Sequence, residues 1–245
     1  MASGDDRFPL TRHSVVAAVK SENAEVRRVA WEALVAAYWK PVYKHLRMQW
    51  RMDAEQARDG TQEFFARAIE KSFFDRFDPA RARFRTFLRV CVDGLVGKER
   101  EAERRLKRGG GVAPLPLDFD AAESELASVA SPAAGDLDDY FHREWVRSLF
   151  ELSLADLQRI CAERGKSRQF ELFRRYDLEA PERTEKLTYS DLAREFRVPV
   201  TQVTNWLHWA RRELRELVLA RLRRLCATEE EFRLEARALL GVDAA

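Results

Sequence analysis

One continuous apolar stripe constrains the fold of this chain more than any other feature. In residues 84–108 the apolar positions recur at i, i+3, i+4, i+7, i+8, i+11 and i+12, the spacing of one helix face. They are Phe84, Phe87, Leu88, Cys91, Val92, Leu95 and Val96. The opposite face and the end of the segment are basic, and Asp78-Pro79 breaks the chain just before it. The pattern predicts an amphipathic helix with a basic loop at its mouth. Such a surface could bind DNA, and it could equally be the solvated face of an ordinary helix in a bundle.

Composition and charge distribution favour a helical protein with a basic and an acidic part. The chain has 245 residues, enough for one large core or two modest ones, and 34% of its residues are charged. The net charge is only +2, but residues 76–108 carry eleven Lys or Arg against five Asp or Glu. Residues 112–144 carry one Arg against eight acids. This asymmetry predicts a basic working surface beside an acidic tether.

Several classes of chemistry find no support in the sequence. Three widely spaced cysteines (Cys91, Cys161 and Cys226) indicate no disulfide framework, and four histidines without ligand spacing indicate no metal site. Phosphate-binding glycine loops and hydrolase or metalloprotease motifs are missing. Neither an apolar leader nor a run of about 18 apolar residues occurs. We therefore expect a cytoplasmic protein without catalytic activity, cofactor, metal or membrane contact.

The chain is predicted to be all-α with two helical domains. A disordered N-terminus covers 1–10 and the first domain covers 11–108. Three glycines at 109–111 open a linker over 109–139 that lacks helical periodicity and reads as a flexible acidic tether. The second domain covers 140–227, and a C-terminal helical extension covers 228–245.

Residues 188–217 predict a helix-turn-helix within the second domain. Thr188 and Asp191 form a capping-box pattern, the first helix ends near Phe196, and residues 197–199 make the turn. In the second helix, short polar side chains share the outward face, with arginines beyond them suited to phosphates. They are Thr201, Thr204, Asn205 and His208, followed by Arg211, Arg212 and Arg215. An ordinary helical hairpin explains the same spacing.

Three blocks, in order, resemble bacterial RNA polymerase sigma factors. DGTQEFFARA at 59–68 is similar to the segment of that family called region 2.2. FRTFLRVCVDGLVGKER at 84–100 resembles regions 2.3 and 2.4, and YSDLAREFRVPVTQVTNWLHWARRELREL at 189–217 resembles region 4.2. The order and separation fit the extracytoplasmic-function (ECF) type. The resemblance implies a region 2 helical bundle and a region 4 helix-turn-helix that direct core RNA polymerase to promoters.

The resemblance also implies roles for individual residues. The residues that match the surface docking on the polymerase β′ subunit are Asp59, Gln62, Glu63, Phe65 and Arg67. Capture of the −10 promoter element falls to Arg81, Arg83, Phe84, Arg85, Thr86 and Phe87, with Arg89, Lys98 and Arg100 on phosphates. Reading of the −35 element falls to Thr201, Gln202, Thr204, Asn205 and His208, with Arg211 and Arg212 on the DNA backbone.

The sequence departs from the family pattern at several of these sites. Gly94 stands where Asn is frequent, and Asp93 stands near a usual basic position. Arg197 replaces the usual turn glycine, Pro199 replaces the capping serine, and Trp206 replaces a basic residue. These changes predict altered promoter contacts.

Further partners follow from the same resemblance. Core RNA polymerase (β′ and β subunits) and promoter DNA are implied, and an anti-sigma factor or a Ser/Thr kinase are candidate regulators. Thr61 is the candidate phosphorylation site, with simple packing of a helix threonine as the alternative. Two other functions remain open at this point. One is a helix-turn-helix regulator acting without polymerase, and the other is a helical interaction or adaptor protein.

Overall fold

The computed structural model describes residues 14–103, 115–127, 137–179 and 187–241, and the regular structure in these ranges is helical. The helices are α1 (Val15–Ala18), α2 (Ala24–Met48), α3 (Ala54–Glu70), α4 (Phe84–Glu103), α5 (Phe119–Ala127), α6 (Leu137–Glu163), α7 (Ser167–Phe173), α8 (Tyr189–Phe196), α9 (Val200–Leu225) and α10 (Glu229–Leu240). A 3₁₀ turn spans Phe73–Arg76 and a π-helical turn spans Arg174–Leu178. Within these ranges there is no strand, and the all-α prediction is confirmed.

Side-chain caps fix where several helices begin. Asp53 accepts a hydrogen bond from the Gln56 backbone N–H at 2.8 Å, and Gln56 reaches back to the Asp53 N–H, which completes a capping box at α3. Thr188 and Asp191 form the same reciprocal pair at α8. Asn23 caps α2, which then runs through Pro41 without a break. Each cap satisfies backbone donors that a helix start leaves without an intrahelical partner.

The chain divides into two compact units whose limits differ from the predicted domains. One unit comprises Met1–Ser148 with Leu222–Ala245, and the other comprises Leu149–Arg221. Both α6 and α9 are continuous across the division. The C-terminal helix α10, predicted as an extension over 228–245, belongs to the first unit, where Phe232 and Ala236 are buried.

The core of the first unit is built on α2. Leu34, Tyr38 and Val42 of this helix are almost completely buried. Aromatic side chains of α3, the 3₁₀ turn and α4 complete the core, and they are Phe64, Phe65, Phe74 and Phe84. Gly60 allows α3 to approach α2 closely, since a Cβ there would lie 3.2 Å from Leu46 Cδ1. A contact that short is tighter than most real Cβ contacts, which explains a glycine in a helix interior.

The second unit has its own apolar core. The later part of α6 contributes Leu157 and Cys161. The other helices contribute Phe170, Leu172 and Phe173 of α7, Leu192 of α8, and Val203, Leu207 and Ala210 of α9. The apolar face predicted for the second helix of the helix-turn-helix is therefore the buried one.

Helix α5 corrects the predicted linker. The expectation of 109–139 as a tether without helix is wrong for 119–127, where Phe119 packs against Tyr43 of α2 at 5.0 Å between ring centroids. Glu123 accepts hydrogen bonds from Tyr43 at 2.7 Å and from Arg47 at 2.6 Å. Glu125 bridges Lys40 and Lys44, each at 2.6 Å. Acidic residues that favour a tether by composition instead pair with the basic face of α2. Residues 109–114 and 128–136 lie outside the described residues.

These ion pairs make the attachment of α5 dependent on pH. The hydrogen bond from Arg47 lowers the pKa of Glu123 below its ordinary 4.5. Burial raises the pKa of Glu125, but the hydrogen bonds from Lys40 and Lys44 outweigh it and leave that pKa lowered as well. Carboxyl groups with a lowered folded-state pKa stabilise the fold above their unfolded pKa, and that contribution is lost as the pH falls through the folded pKa.

We expect Glu123→Gln/Glu125→Gln to lower the free energy of unfolding at pH 7 by about 1 to 2 kcal/mol, since charge-assisted hydrogen bonds are lost. The difference from the unsubstituted protein should shrink as the pH falls below 4.5, measured by urea denaturation. Asp120→Asn is the control, because the Asp120 side chain is 95% exposed. A deficit that stays constant down to pH 3 would contradict this account.

Candidate nucleic-acid interface

The helix-turn-helix of the second unit is set by a strained turn. After α8 ends, Arg197 adopts the left-handed conformation with φ of 52°, which glycine adopts at lower cost. The Val198 N–H donates to Ala193 O at 3.0 Å and closes the end of α8. Pro199 O then accepts the Gln202 N–H at 2.9 Å at the start of α9. The turn therefore closes with backbone hydrogen bonds although the usual turn residues are replaced.

The outward face of α9 carries the polar residues predicted to read bases. Thr201, Thr204, Asn205 and His208 are all exposed, and Gln202 is half-buried at the edge. The Thr204 hydroxyl donates to Val200 O at 3.2 Å, which holds it against its own helix. Short polar side chains that project from an exposed helix face can reach base edges in a major groove.

Arginines beyond this face differ in availability. Arg211, predicted to contact the DNA backbone, is instead held by Asp177 of the π-helical turn through hydrogen bonds of 2.7 and 2.9 Å. Its guanidinium also lies 5.7 Å from the Tyr176 ring. Arg212 is exposed, and its ion pair with Glu216 is long at 3.9 Å. Its guanidinium is therefore accessible to a DNA phosphate, as predicted. Arg215 is exposed as well.

Two cations of the α6–α7 region lie beside tryptophans of α9, and sequence reasoning did not find them. Lys166 lies 4.1 Å above the Trp209 ring, and Arg168 lies 5.8 Å from the Trp206 ring. Arg168 also donates to Phe196 O at the end of α8. Trp206 therefore has a packing role with a cation supplied from α7. The sequence signal for this contact was Trp206 itself, which stands where a basic residue is common in the family that the chain resembles.

In the first unit, one of the two aromatic residues predicted to hold a −10 base is buried. Phe84 is 0% exposed and packs against Tyr38, Phe74 and Phe77 at ring distances of 5.7, 5.2 and 5.2 Å. Its predicted base contact is corrected, because the first residue of α4 fills the core instead. Phe87 is half-buried and Thr86 is exposed one turn further along.

The predicted arginines at the mouth of α4 meet an acid from α10. Arg83 lies 2.7 Å from Glu235 Oε1, and Arg85 donates to the same oxygen. The Arg85 guanidinium also stacks on Trp145 at 5.3 Å. Arg81 is exposed and lies 3.3 Å from Asp78. Glu235 is a functional candidate that sequence reasoning missed, because it is 150 residues away along the chain.

Asp93 gathers three donors further along α4. It accepts hydrogen bonds from His45 at 2.7 Å, from Trp50 at 2.8 Å and from Arg89 at 2.9 Å. Burial raises the pKa of Asp93, but these partners outweigh it and leave that pKa below the ordinary value. Arg89, predicted to bind phosphate, is thus engaged by the acidic residue that departs from the family pattern.

A small pocket of about 170 Å³ lies beside the first turns of α4. Its lining residues are Arg85, Thr86, Arg89, Asp139, Phe141 and His142. Lys98 is exposed, as a phosphate contact requires. The side chain of Arg100 lies outside the described residues.

The predicted polymerase-docking set is only partly at the surface. Asp59 is exposed, Gln62 and Glu63 are half-buried, and Arg67 pairs with Glu63 within α3. The assignment of Phe65 to a docking surface is corrected, because its ring is 0% exposed and packs on Phe64.

Thr61 is buried one turn before Phe65. Its hydroxyl donates to Ala57 O at 2.7 Å. A kinase cannot reach that oxygen in this structure, so the packing interpretation of Thr61 accounts for the residue.

Neither a metal cluster nor a match to a known protein identifies this site. Among the described ranges no cluster of three His, Cys, Asp or Glu is placed to hold a metal, and no described helix is long and apolar enough to cross a membrane. No family model matches the chain, and no curated protein or solved structure was found to match it.

The strained turn gives a stability prediction. Arg197→Gly should raise the free energy of unfolding by about 0.5 to 1 kcal/mol, because glycine adopts positive φ without a Cβ clash. Arg194→Gly, an exposed position inside α8, should lower it by about 1 kcal/mol. Urea midpoints of both variants test this pair, and a destabilised Arg197→Gly would contradict the assigned strain.

Proposed function

We propose that this chain is a sigma factor of the ECF type, which binds core RNA polymerase and directs promoter-specific initiation. One observation carries the proposal. The α8–turn–α9 pair buries Val203, Leu207 and Ala210 and exposes a polar face led by Asn205 and His208. Three sequence blocks in family order add independent support.

In the second unit, the N-terminal part of α9 enters the major groove of the −35 element. Thr201, Asn205 and His208 face the base edges, and Arg212 and Arg215 contact phosphates. Arg211 orients the π-helical turn through Asp177 and so shapes the interface indirectly. Affinity then depends on two arginines, while specificity depends on the short polar residues.

In the first unit, α3 docks on the β′ subunit through its exposed side, with Asp59 and Gln62 at the contact. The −10 element is taken up at the first turns of α4, where Thr86 and Phe141 line the 170 Å³ pocket. An unstacked base needs an aromatic or apolar surface with cations for its strand. The chain has no catalytic role, and it acts in the cytoplasm with promoter DNA and polymerase as partners.

A second candidate is a helix-turn-helix regulator that acts without polymerase. The pairing of Arg83 and Arg85 with Glu235 favours it, since the first unit then has fewer cations for a DNA strand. Under this alternative the first unit is a scaffold or receives a different partner.

Transcription with purified core RNA polymerase on fragmented genomic DNA, read by sequencing of 5′ ends, tests the proposal. We expect discrete start sites that depend on the chain. Asn205→Ala/His208→Ala should reduce these transcripts by at least about 30-fold, because two base contacts worth about 1 to 3 kcal/mol each are lost. Asp59→Ala/Gln62→Ala should instead weaken assembly with core enzyme. Gln158→Ala, exposed on α6, is the control and should change neither.

Other outcomes separate the alternatives. Duplex binding without chain-dependent start sites would support the polymerase-independent regulator. If the chain bound neither DNA nor core polymerase, the proposal would be overturned and the helical adaptor would remain.

A further inference from the structure

Helix α10 is held on the first unit by both apolar and ionic contacts. Phe232 and Ala236 bury one side of the helix, and Arg223 lies 4.3 Å above the Phe232 ring. Thr228 caps the helix by accepting the Glu231 N–H at 3.1 Å. The three residues Cys226–Thr228 connect it to α9. Because the cap lies next to the helix in sequence, release of α10 from the unit does not break it.

The ionic contact falls on the loop and first turn that lead into α4. Glu235 is 1% exposed, and its Oε1 receives both Arg83 and Arg85. A side-chain oxygen of Glu231 accepts the Phe84 N–H at 3.3 Å. Thus two carboxylates of α10 accept hydrogen bonds from donors at the start of α4. The proposed −10 contact begins at the same place.

The geometry resembles that of a bound phosphate. Two guanidinium groups that converge on one anionic oxygen are a common way to hold a nucleic-acid phosphate. A phosphate and Glu235 cannot occupy the same position between Arg83 and Arg85. Binding of a strand there requires the carboxylate to leave.

The closed arrangement also carries a cost. Glu235 Oε2 is buried and has no hydrogen-bond partner among the described residues. A buried charged oxygen without a partner loses its hydration without compensation, which weakens the contact that holds it. A contact weakened in this way can be displaced by a competing anion that satisfies all of its oxygens.

We propose that α10 is an autoinhibitory latch, in which Glu235 occupies the phosphate position on Arg83 and Arg85 and excludes single-stranded DNA. This inference rests on the proposed function, since that function supplies the identity of the ligand. Release of α10 frees the two arginines and the Phe84 N–H together. The first unit then changes from a closed to a strand-binding state.

The test uses the full chain and a fluorescein-labelled 20-nucleotide single strand of mixed sequence. Fluorescence anisotropy at several salt concentrations measures affinity and its salt slope. Glu235→Gln keeps the side-chain size and removes its charge. It should bind about fivefold more tightly, and log Kd should depend more steeply on log salt by about one to two units, because two cations become available.

Matched variants separate the latch from a general change of charge. Glu230→Gln removes the same charge from an exposed position of α10 and should bind no more than slightly tighter. Arg83→Ala/Arg85→Ala/Glu235→Gln should lose the gain. Phe232→Ala loosens α10 without changing charge, and it should reproduce the gain even if Glu235→Gln folds poorly.

Amide hydrogen exchange over 229–240 reports the latch without DNA. Exchange in Glu235→Gln should be faster than in Glu230→Gln. Equal exchange and equal affinity in the two variants would overturn the latch, and so would a gain that persists in the triple variant. Faster exchange without any gain in binding would also overturn the latch, because Glu235 would then only stabilise the position of α10.

Failure of the latch and failure of the proposed function give different results. Chain-dependent transcription together with no gain for Glu235→Gln would retain the function and reject the latch. A gain in strand binding without chain-dependent transcription would support the latch on a DNA-binding protein and reject the sigma-type function.

Discussion

A buried ammonium group determines how the first unit is assembled. The Lys44 side chain is 1% exposed in α2, and its Nζ lies 2.5 Å from Glu144 and 2.6 Å from Glu125. An ammonium without partners at this depth would be strongly destabilising, so the packing of α2 depends on the carboxylates that α5 and α6 supply. That placement of α6 brings Trp145 beside Tyr38 and under Arg85. The surface at the mouth of α4 therefore depends on a charge buried elsewhere in the unit.

Acid-on-base pairing recurs at three basic surfaces within the described residues. Helix α5 covers Lys40 and Arg47, Glu235 covers Arg83 and Arg85, and Asp177 holds Arg211. A net charge of +2 conceals these neutralised patches. Basic residues in a sequence therefore indicate a nucleic-acid surface only when no acid of the same chain faces them. Under the proposed function a nucleic acid would compete with these internal carboxylates, so the number of basic residues alone is a poor measure of its affinity.

Local sequence signals predicted much of this fold, and long-range pairing limited the rest. Capping residues such as Thr188 and Asp191 mark a helix start because their partners lie three residues away. The stripe of α4 and the outward face of α9 follow from helical periodicity in the same way. In contrast, α5 reads as a tether because Glu123 and Glu125 find their partners about 80 residues away. Phe65 and Phe84 match sequence motifs that are expected at the surface, yet both rings are buried in the core.

Under the proposed function, weak intrinsic DNA binding is a consequence of these pairings. With Arg211 held by Asp177, α9 offers few phosphate contacts, and the first unit binds a strand only when α10 is released. The apparent Kd of a protein equals its intrinsic Kd divided by the fraction in the competent state, so a closed majority lowers affinity in proportion. A partner that binds the released state preferentially raises that fraction. Core polymerase, which under this proposal engages α3 of the same unit, would act in this way if it preferred the released state, and promoter binding would then be coupled to holoenzyme assembly.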